Sequence, residues 1–218
     1  MMSPGQHTDK RPQPRLYLVT PVAAHLQMLA ADLAAALGAA DVAAVLMRLP
    51  DEDERALINR VKTIAPVVQT AGAALLIDRH QLVARGGADG AHLIDIADFV
   101  DAVGGLKPDR IAGVGGLETR HDAMLAAERG ADYVMFGEPD NGGARPALDA
   151  ILDRVSWWAE VFQIPCVGYA AGLDEISPLV EAGADFVTVG DFIFSDPRGA
   201  AQAIADADSR LALPEVIA

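Results

Sequence analysis

The sequence predicts an α/β fold, a (β/α)8 TIM barrel of eight parallel strands with helices outside, and three observations lead to it. Eight short apolar or β-branched runs recur along the chain. The stretches between them are about 10 to 25 residues long, have helical periodicity and are often rich in alanine. Eight units in about 195 residues give about 25 residues per unit, a compact strand–helix repeat. Strands that are apolar on both faces and joined by helices form parallel sheets, and eight of them favour a closed barrel.

Each predicted strand is a short run of mostly apolar residues, which is typical of strands buried on both faces. In chain order the predicted strands are Leu16–Val19, Val42–Met47, Ala74–Ile77, Gly90–Leu93, Arg110–Val114, Tyr133–Phe136, Cys166–Tyr169 and Phe186–Val189. A doubly wound open sheet is the alternative, but it expects a glycine-rich turn after the first strand. That turn is Thr20–Ala23 here, so the barrel is favoured.

The junctions between helices and strands carry signals of their own. Each of four strands is preceded by a glycine, one or two alanines and an aspartate. The glycine of this motif can adopt the left-handed conformation that ends a helix. These glycines are Gly38, Gly87, Gly130 and Gly183. Helix starts are predicted at Asp51, a cap with Glu54 three residues later, and at Asp196, a cap directly before Pro197.

A single barrel domain is predicted over residues 15–208, because no linker or low-complexity tract interrupts the repeat. Residues 1–14 are polar and contain proline, so we expect a disordered N-terminal arm rather than a secretory signal. Residues 209–218 are expected to form a C-terminal tail.

The composition excludes several classes of partner. The 218 residues contain 17 Lys+Arg against 31 Asp+Glu, a formal charge of −14. So acidic a chain has no basic face for nucleic acid, and no apolar run approaches the roughly 18 residues of a membrane span. The one cysteine, Cys166, cannot form an internal disulfide, so we expect a cytoplasmic protein. Of Trp157 and Trp158, one is expected to pack on the barrel and the other to be free to face a partner subunit, which would allow a homodimer.

In a barrel of this kind the functional site lies at the C-terminal ends of the strands. The loops after strands 7 and 8 frequently hold a phosphate, and Gly172 and Gly190 would let the backbone approach it closely. Both glycines are equally consistent with ordinary tight turns. Gly115, after strand 5, and Arg145, in the loop 137–146 after strand 6, are further candidates for substrate binding. That loop fits a lid and an unstructured segment equally well.

Charged residues after strands 2, 3 and 4 are candidates for catalysis and metal binding. Asp78, Asp95 and Asp98 suit Mg²⁺, which takes one or two carboxylates together with substrate phosphates. The alternative for Asp95 and Asp98 is that they only cap the next helix. Arg48 follows an apolar strand, where a guanidinium needs an anion, either a substrate or one of these aspartates. His92, at the end of strand 4, is interpreted as a core histidine with satisfied hydrogen bonds.

The sequence resembles thiamine phosphate synthases and their TenI-like relatives over about residues 15–205. The resemblance is carried by the runs LYLVT at Leu16–Thr20, GADGAHL at Gly87–Leu93, GADYVMFG at Gly130–Gly137 and GADFVTV at Gly183–Val189. Gly-Ala-Asp junctions occur in many phosphate-binding barrels. Their combination with LYLVT and GAHL is more specific.

The resemblance implies a reaction between small phosphorylated substrates. The family joins a pyrimidine carried on a diphosphate to a thiazole phosphate and releases pyrophosphate. Mg²⁺ neutralises the leaving group in that reaction, and no protein nucleophile is needed. By position, Arg48 matches the family's diphosphate-binding arginine and Asp78 its first magnesium aspartate, so both are catalytic candidates. Gly172 and Gly190 match the thiazole-phosphate loops.

Several positions depart from the family pattern. The expected Gln-x-Arg-x-Lys after strand 2 appears as Leu46, Arg48 and Pro50, and the expected serine after strand 8 is Asp191. The Thr-x-Thr-Lys of the strand-6 loop is absent. Residues of that region include Glu138, Asp140, Asn141 and Arg145. Two alternatives therefore stay open: a TenI-like thiazole isomerase or lyase, and a catalytically silent barrel that binds a phosphorylated ligand.

Overall fold

In the computed structural model, which describes residues 12–23, 25–140 and 142–212, eight parallel strands form a closed barrel in chain order. The strands are β1 (Arg15–Val19), β2 (Val42–Met47), β3 (Ala74–Ile77), β4 (Gly90–Leu93), β5 (Ile111–Val114), β6 (Tyr133–Phe136), β7 (Cys166–Tyr169) and β8 (Phe186–Val189). The barrel closes at β1, which pairs with β2 on one side and β8 on the other. The predicted fold class is confirmed. Only β1 and β5 differ from the predicted strands, each by one residue at its start.

Helices connect the strands and cover the barrel. They are α1 (Leu26–Leu37), α2 (Glu54–Thr70), α3 (Val83–Gly86), α4 (Ile96–Leu106), α5 (Arg120–Glu128), α6 (Leu148–Val161), α7 (Ile176–Ala182), α8 (Asp191–Phe194) and α9 (Ala200–Asp208). On α2 the buried residues Leu57, Val61 and Ile64 recur every three or four positions, so one apolar face of this helix is buried. In the link from β3 to β4 the helical part is short, with one turn of 3-10 helix before the four-residue α3.

The buried residues form two clusters. The larger cluster contains residues of the helices, such as Leu33 and Phe99, together with strand residues such as Leu18. The smaller cluster is drawn from the strands and includes Tyr17, Tyr133 and the other side chains Val19, Leu46, Leu76, Met135, Val167 and Tyr169. Because this strand-derived cluster contains phenols as well as aliphatic groups, polar hydroxyls are present among the buried side chains of the barrel.

Two predicted helix starts are wrong. Helix α2 is capped by Asp53, whose carboxylate accepts a hydrogen bond from Ala56 N at 3.0 Å, and not by Asp51. Helix α9 begins at Ala200, after Gly199, rather than next to Asp196. The carboxylate of Asp196 instead accepts bonds from the backbone and guanidinium of Arg198. At α2 a neighbouring carboxylate caps the first turn instead, and at Asp196 the carboxylate is engaged by Arg198.

Three of the four predicted left-handed glycines have that conformation. Gly87, Gly130 and Gly183 have φ values of 80°, 93° and 103°. Gly38 does not, since its φ is −79° and the end of α1 stays right-handed. The Gly-Ala-Asp junction therefore marks the start of a strand more reliably than it marks the conformation of its glycine.

The two tryptophans of α6 have different surroundings. Trp158 is fully buried, stacks on Phe162 with ring centroids 4.1 Å apart, and donates a hydrogen bond to the Ile164 carbonyl. Trp157 is partly buried, and the guanidinium of Arg120 lies 4.8 Å from its ring centroid. The homodimer stays a prediction.

The strands and helices extend from Arg15 to Asp208. Most of the predicted arm, residues 1–11, and the last part of the predicted tail, residues 213–218, lie outside the described residues. Within the described ranges, no helix combines the length and the apolar character needed to cross a bilayer.

Candidate active site at the mouth of the barrel

A chain of hydrogen bonds runs through the barrel from β1 to the loop after β6. The hydroxyls of Tyr17 and Tyr133 lie 2.8 Å apart, and the Tyr133 hydroxyl lies 2.8 Å from His92 Nδ1. On the other side of the ring, His92 Nε2 lies 2.8 Å from Glu138 Oε2. Glu138 Oε1 then faces Arg48 Nη2 at 3.5 Å. Five side chains from three strands and two loops are thus linked into a single polar network.

The network is buried except at its last member. The Glu138 side chain is 3% exposed, while that of Arg48, which follows β2, is 33% exposed. Burial raises the pKa of both tyrosine hydroxyls, so they remain protonated. Burial by itself would raise the pKa of Glu138, but His92 and Arg48 outweigh it and hold that pKa below the usual value. The carboxylate is therefore ionised at neutral pH.

The direction of each hydrogen bond follows from counting protons. An ionised Glu138 only accepts, so His92 Nε2 donates to it. In the neutral imidazole Nδ1 accepts from Tyr133, whose oxygen accepts from Tyr17, and every buried proton has an acceptor. The interpretation of His92 as a core histidine with satisfied hydrogen bonds agrees with these contacts.

Gly115, directly after β5, makes room for this pair. A Cβ at Gly115 would lie 2.3 Å from Glu138 Oε2 and 2.9 Å from His92 Nε2, closer than van der Waals contact allows. Its predicted role in substrate binding stays a prediction. What the structure places against it is the Glu138–His92 pair.

Arg48 and Asp78 line the same cavity, as the sequence predicts for residues at adjacent strand ends. This cavity, the larger of two that Glu138 borders, has a volume of about 850 Å³, and its walls also include Leu46, Arg79 and Asp98. The Asp78 carboxylate accepts from the Leu49 backbone N–H, with both oxygens 3.3 to 3.4 Å away, and lies 3.6 Å from Arg79. Burial raises the pKa of Asp78 and prevails over the opposing effect of Arg79 and the backbone.

The three predicted magnesium aspartates are not drawn into one cluster. Asp95 caps α4, because its Oδ1 accepts from Ala97 N at 2.7 Å and Asp98 N at 3.1 Å. Asp95 borders a smaller cavity, while Asp98 borders the larger one together with Asp78. Among the described residues, no three His, Cys, Asp or Glu side chains are grouped so that they could hold a metal. For Asp95, the capping alternative matches the observed contacts.

Arg145 joins the loop after β6 to the loop after β7. Its guanidinium donates to Glu175 Oε2 at 2.8 Å and to the Tyr169 carbonyl at 3.2 Å. Its Nε is buried and has no acceptor within the described part of the chain. Arg145 also lines the smaller cavity, of about 450 Å³. In the same loop the Asp140 carboxylate accepts from Gly142 N and Ala144 N, which gives the loop a defined turn.

The two predicted phosphate-loop glycines differ in backbone conformation. Gly172 is extended, with φ −162° and ψ 172°, and precedes a turn of 3-10 helix, whereas Gly190, with φ −143° and ψ −120°, is not extended and precedes α8. A Cβ at Gly190 would lie 3.3 Å from the Tyr169 hydroxyl, so little room remains there. Asp191 borders a further cavity of about 420 Å³ together with Arg48, so an acid does face this side of the arginine.

The sequence did not reveal that His92 and Glu138 are partners. They are 46 residues apart, and β4 and β6 are separated by β5 in the barrel. One signal was available in the sequence. Glu138 is separated from the apolar strand β6 only by Gly137, much as Arg48 and Asp78 directly follow the apolar strands β2 and β3. A buried acid at a strand end requires a buried partner.

Comparison with known proteins gives consistent results. The family model described as thiamine monophosphate synthase matches residues 16–193. The thiamine-phosphate synthase of Rhodospirillum centenum is 41% identical over 196 residues, covering 88% of this chain and 95% of that protein. The one from Hyphomonas neptunium is 34% identical over 203 residues, covering 89% and 92%. In structure, the chain resembles a thiamine phosphate pyrophosphorylase from Pyrococcus furiosus with a TM-score of 0.74, 20% identity and coverage of 92% and 96%.

Proposed function

The chain belongs to the thiamine monophosphate synthase family, and we propose that it joins a pyrimidine diphosphate to a thiazole phosphate at the mouth of this barrel, using Arg48 and Asp78. Thiamine-phosphate synthase activity is the function of the relatives it matches over nearly their whole length. The observation that carries the assignment to this site is that Arg48 and Asp78 line one cavity at the C-terminal ends of β2 and β3. The negative charge of small phosphorylated substrates is complementary to the Arg48 guanidinium at that position.

The reaction needs separation of charge and no protein nucleophile. The carbon–oxygen bond to the diphosphate breaks, and its electron pair leaves with the diphosphate. The lone pair of the thiazole nitrogen then forms the new carbon–nitrogen bond. In this scheme Arg48 binds the diphosphate and receives part of the growing negative charge. Arg145, which lines the smaller cavity, is a further proposed contact of a substrate phosphate. Gly172 and Gly190, in the loops after β7 and β8, are the proposed contacts of the thiazole phosphate.

The donor set of the larger cavity fits Mg²⁺ held mainly by substrate. Mg²⁺ usually takes only one or two carboxylates and completes its octahedron with phosphate oxygens and water. Asp78 and Asp98 border the same cavity and would supply those carboxylates, whereas Asp95 is occupied as a helix cap. When bound, Mg²⁺ would neutralise charge on the leaving diphosphate. Asp78 is held for this role by the Leu49 backbone N–H.

The proposed function is tested by direct synthesis. Purified protein with pyrimidine diphosphate, thiazole phosphate and Mg²⁺ is expected to form thiamine phosphate and pyrophosphate in equal amounts, as measured by chromatography and a pyrophosphate assay. Chelation of Mg²⁺ is expected to abolish the product, and added Mg²⁺ to restore it. Absence of thiamine phosphate, together with no calorimetric binding of either substrate, would exclude the synthase and leave the silent-barrel alternative.

Asp78→Asn is expected to raise the Mg²⁺ concentration for half-maximal rate by about tenfold or more, because an amide is a weaker ligand than a carboxylate for this hard cation. The measurement is initial rate against Mg²⁺ concentration at saturating substrates. Asp153→Asn, an exposed acid on α6, removes the same charge outside the cavity and serves as the control. Equal Mg²⁺ dependence in both variants would contradict the role given to Asp78.

A further inference from the structure

We propose that the carboxylate of Glu138 is a catalytic residue that stabilises the positive charge developing on the reacting carbon of the pyrimidine as the diphosphate departs. The inference rests on the proposed function, since it concerns the same site and the same reaction. Neither the family resemblance nor the relatives' names assign a role to this residue, and its position lies where the family's Thr-x-Thr-Lys loop is absent.

The position of Glu138 next to Arg48 is the first argument. Glu138 Oε1 lies 3.5 Å from Arg48 Nη2, the group proposed to bind the diphosphate. The reacting carbon is bonded to an oxygen of that diphosphate, so it lies within a few ångström of the same guanidinium. Glu138 also borders both the 850 Å³ and the 450 Å³ cavities. Its carboxylate is therefore beside the space in which the bond to the leaving group must break.

The rigidity of Glu138 is the second argument. Its side chain is buried, and His92 holds one oxygen at 2.8 Å from the far side. His92 is fixed in turn by Tyr133, and Gly115 leaves the pair just enough space. A carboxylate offers about four acceptor positions, of which His92 and Arg48 occupy two. A charge that is fixed before the reaction stabilises the transition state without reorganisation at that moment.

The charge balance of the reaction makes a carboxylate useful here. When the carbon–oxygen bond breaks, the electron pair goes to the diphosphate and the carbon becomes positive. When the thiazole nitrogen donates its lone pair, the positive charge passes to the ring of the product. No proton is transferred, so Glu138 needs only to remain ionised. The contact with Arg48 is long, at 3.5 Å, whereas Arg145 and Glu175 pair at 2.8 Å, so the carboxylate is not fully engaged by its arginine.

The test compares Glu138→Gln with Glu128→Gln. Glutamine can still accept from His92, so the change removes the charge and keeps the shape. Glu128 is an exposed glutamate at the end of α5 that borders neither cavity, so the control makes the same chemical change away from the barrel mouth. We expect Glu138→Gln to lower the single-turnover rate of thiamine phosphate formation by about 100-fold. Glu128→Gln is expected to stay within about twofold of the unmodified protein.

A binding measurement separates loss of this charge from loss of structure. Thiamine phosphate carries a positive thiazolium ring, whereas the ring of thiazole phosphate is neutral. By calorimetry, Glu138→Gln is expected to weaken thiamine phosphate binding while leaving thiazole phosphate binding unchanged. Pyrophosphate binding is expected to tighten, because Arg48 loses a competing anion. A merely misfolded variant would lose all three ligands.

The outcomes distinguish the two proposals. If the unmodified protein makes no thiamine phosphate, the proposed function fails. If the unmodified protein is active and Glu138→Gln reacts at the same single-turnover rate, only the role of Glu138 is overturned. Tighter pyrophosphate binding with an unchanged rate would show that Glu138 is a counter-ion of Arg48 and would equally overturn the catalytic role.

Discussion

Arg48→Ala is expected to lower kcat/KM for the pyrimidine diphosphate by about 100- to 1,000-fold. A charge-assisted hydrogen bond to a buried or half-buried phosphate contributes about 1.5 to 3 kcal/mol. The alanine variant also leaves the Glu138 carboxylate without its cation, so a negative charge faces the incoming diphosphate. Each factor of ten corresponds to about 1.4 kcal/mol, and the two effects together reach two to three factors of ten.

No neighbouring cation can replace Arg48. The chain has a formal charge of −14, and the other arginines beside the two cavities have partners. Arg79 lies 3.6 Å from Asp78, Arg145 pairs with Glu175 at 2.8 Å, and Arg154 donates to the backbone carbonyls of Leu117 and Glu118. The lysine that the family pattern places two residues after this arginine is Pro50 here. In the proposed function, the acidic composition would therefore leave most of the diphosphate binding to this guanidinium and to Mg²⁺.

The measurement for Arg48→Ala is the steady-state rate over a range of pyrimidine diphosphate concentrations, with pyrophosphate affinity determined by calorimetry. Arg85→Ala is the matched control, since Arg85 is exposed on α3 and pairs with Glu54 outside the barrel mouth. Arg48→Lys is expected to lie between the two, because it keeps the charge and loses the planar fork. Unchanged pyrophosphate affinity in Arg48→Ala would remove this arginine from the binding site.

The strands could be predicted because their signal is local. A run such as Val134–Phe136 is apolar on both faces, which only a strand covered on both sides tolerates, and eight such runs leave few topologies. The cap residues could not be predicted as well. Asp51 and Asp53 both precede α2, and the choice between them depends on which carboxylate reaches the backbone of the first turn.

The candidate site likewise contains some residues that could be predicted from the sequence and others that could not. Arg48 and Asp78 could be predicted because a charged residue directly after a buried strand must lie at the barrel mouth. The network of Tyr17, Tyr133, His92 and Glu138 could not, because each bond joins residues from strands that are not adjacent in the chain. Periodicity shows that these side chains are buried and does not show which of them meet.

Gly113→Ala is expected to lower the free energy of unfolding by about 3 kcal/mol, at the upper end of what overpacking of a core costs. Gly113 lies on β5 between His92 on β4 and Tyr133 on β6, at the same level of the sheet. The Tyr133 ring passes over this glycine to reach His92, and the two rings stack 5.6 Å apart. A Cβ at Gly113 would lie 2.0 Å from Tyr133 Cζ and 2.3 Å from its hydroxyl.

The ring of Tyr133 cannot move without breaking hydrogen bonds, because its hydroxyl is bound to both Tyr17 and His92 inside a packed barrel. A displaced ring would leave buried hydroxyls without partners, which adds to the steric cost. The expected loss corresponds to a fall in melting temperature of roughly 6 to 12 °C for a chain of this size.

Gly104→Ala, in α4 with open space around the added carbon, is the control and is expected to raise stability by up to about 1 kcal/mol. If the two variants unfold at the same temperature, the space above Gly113 is not what holds Tyr133 against His92. If Gly113→Ala is destabilised as expected, the same variant should also lose synthase activity in its folded fraction, because His92 then no longer fixes Glu138.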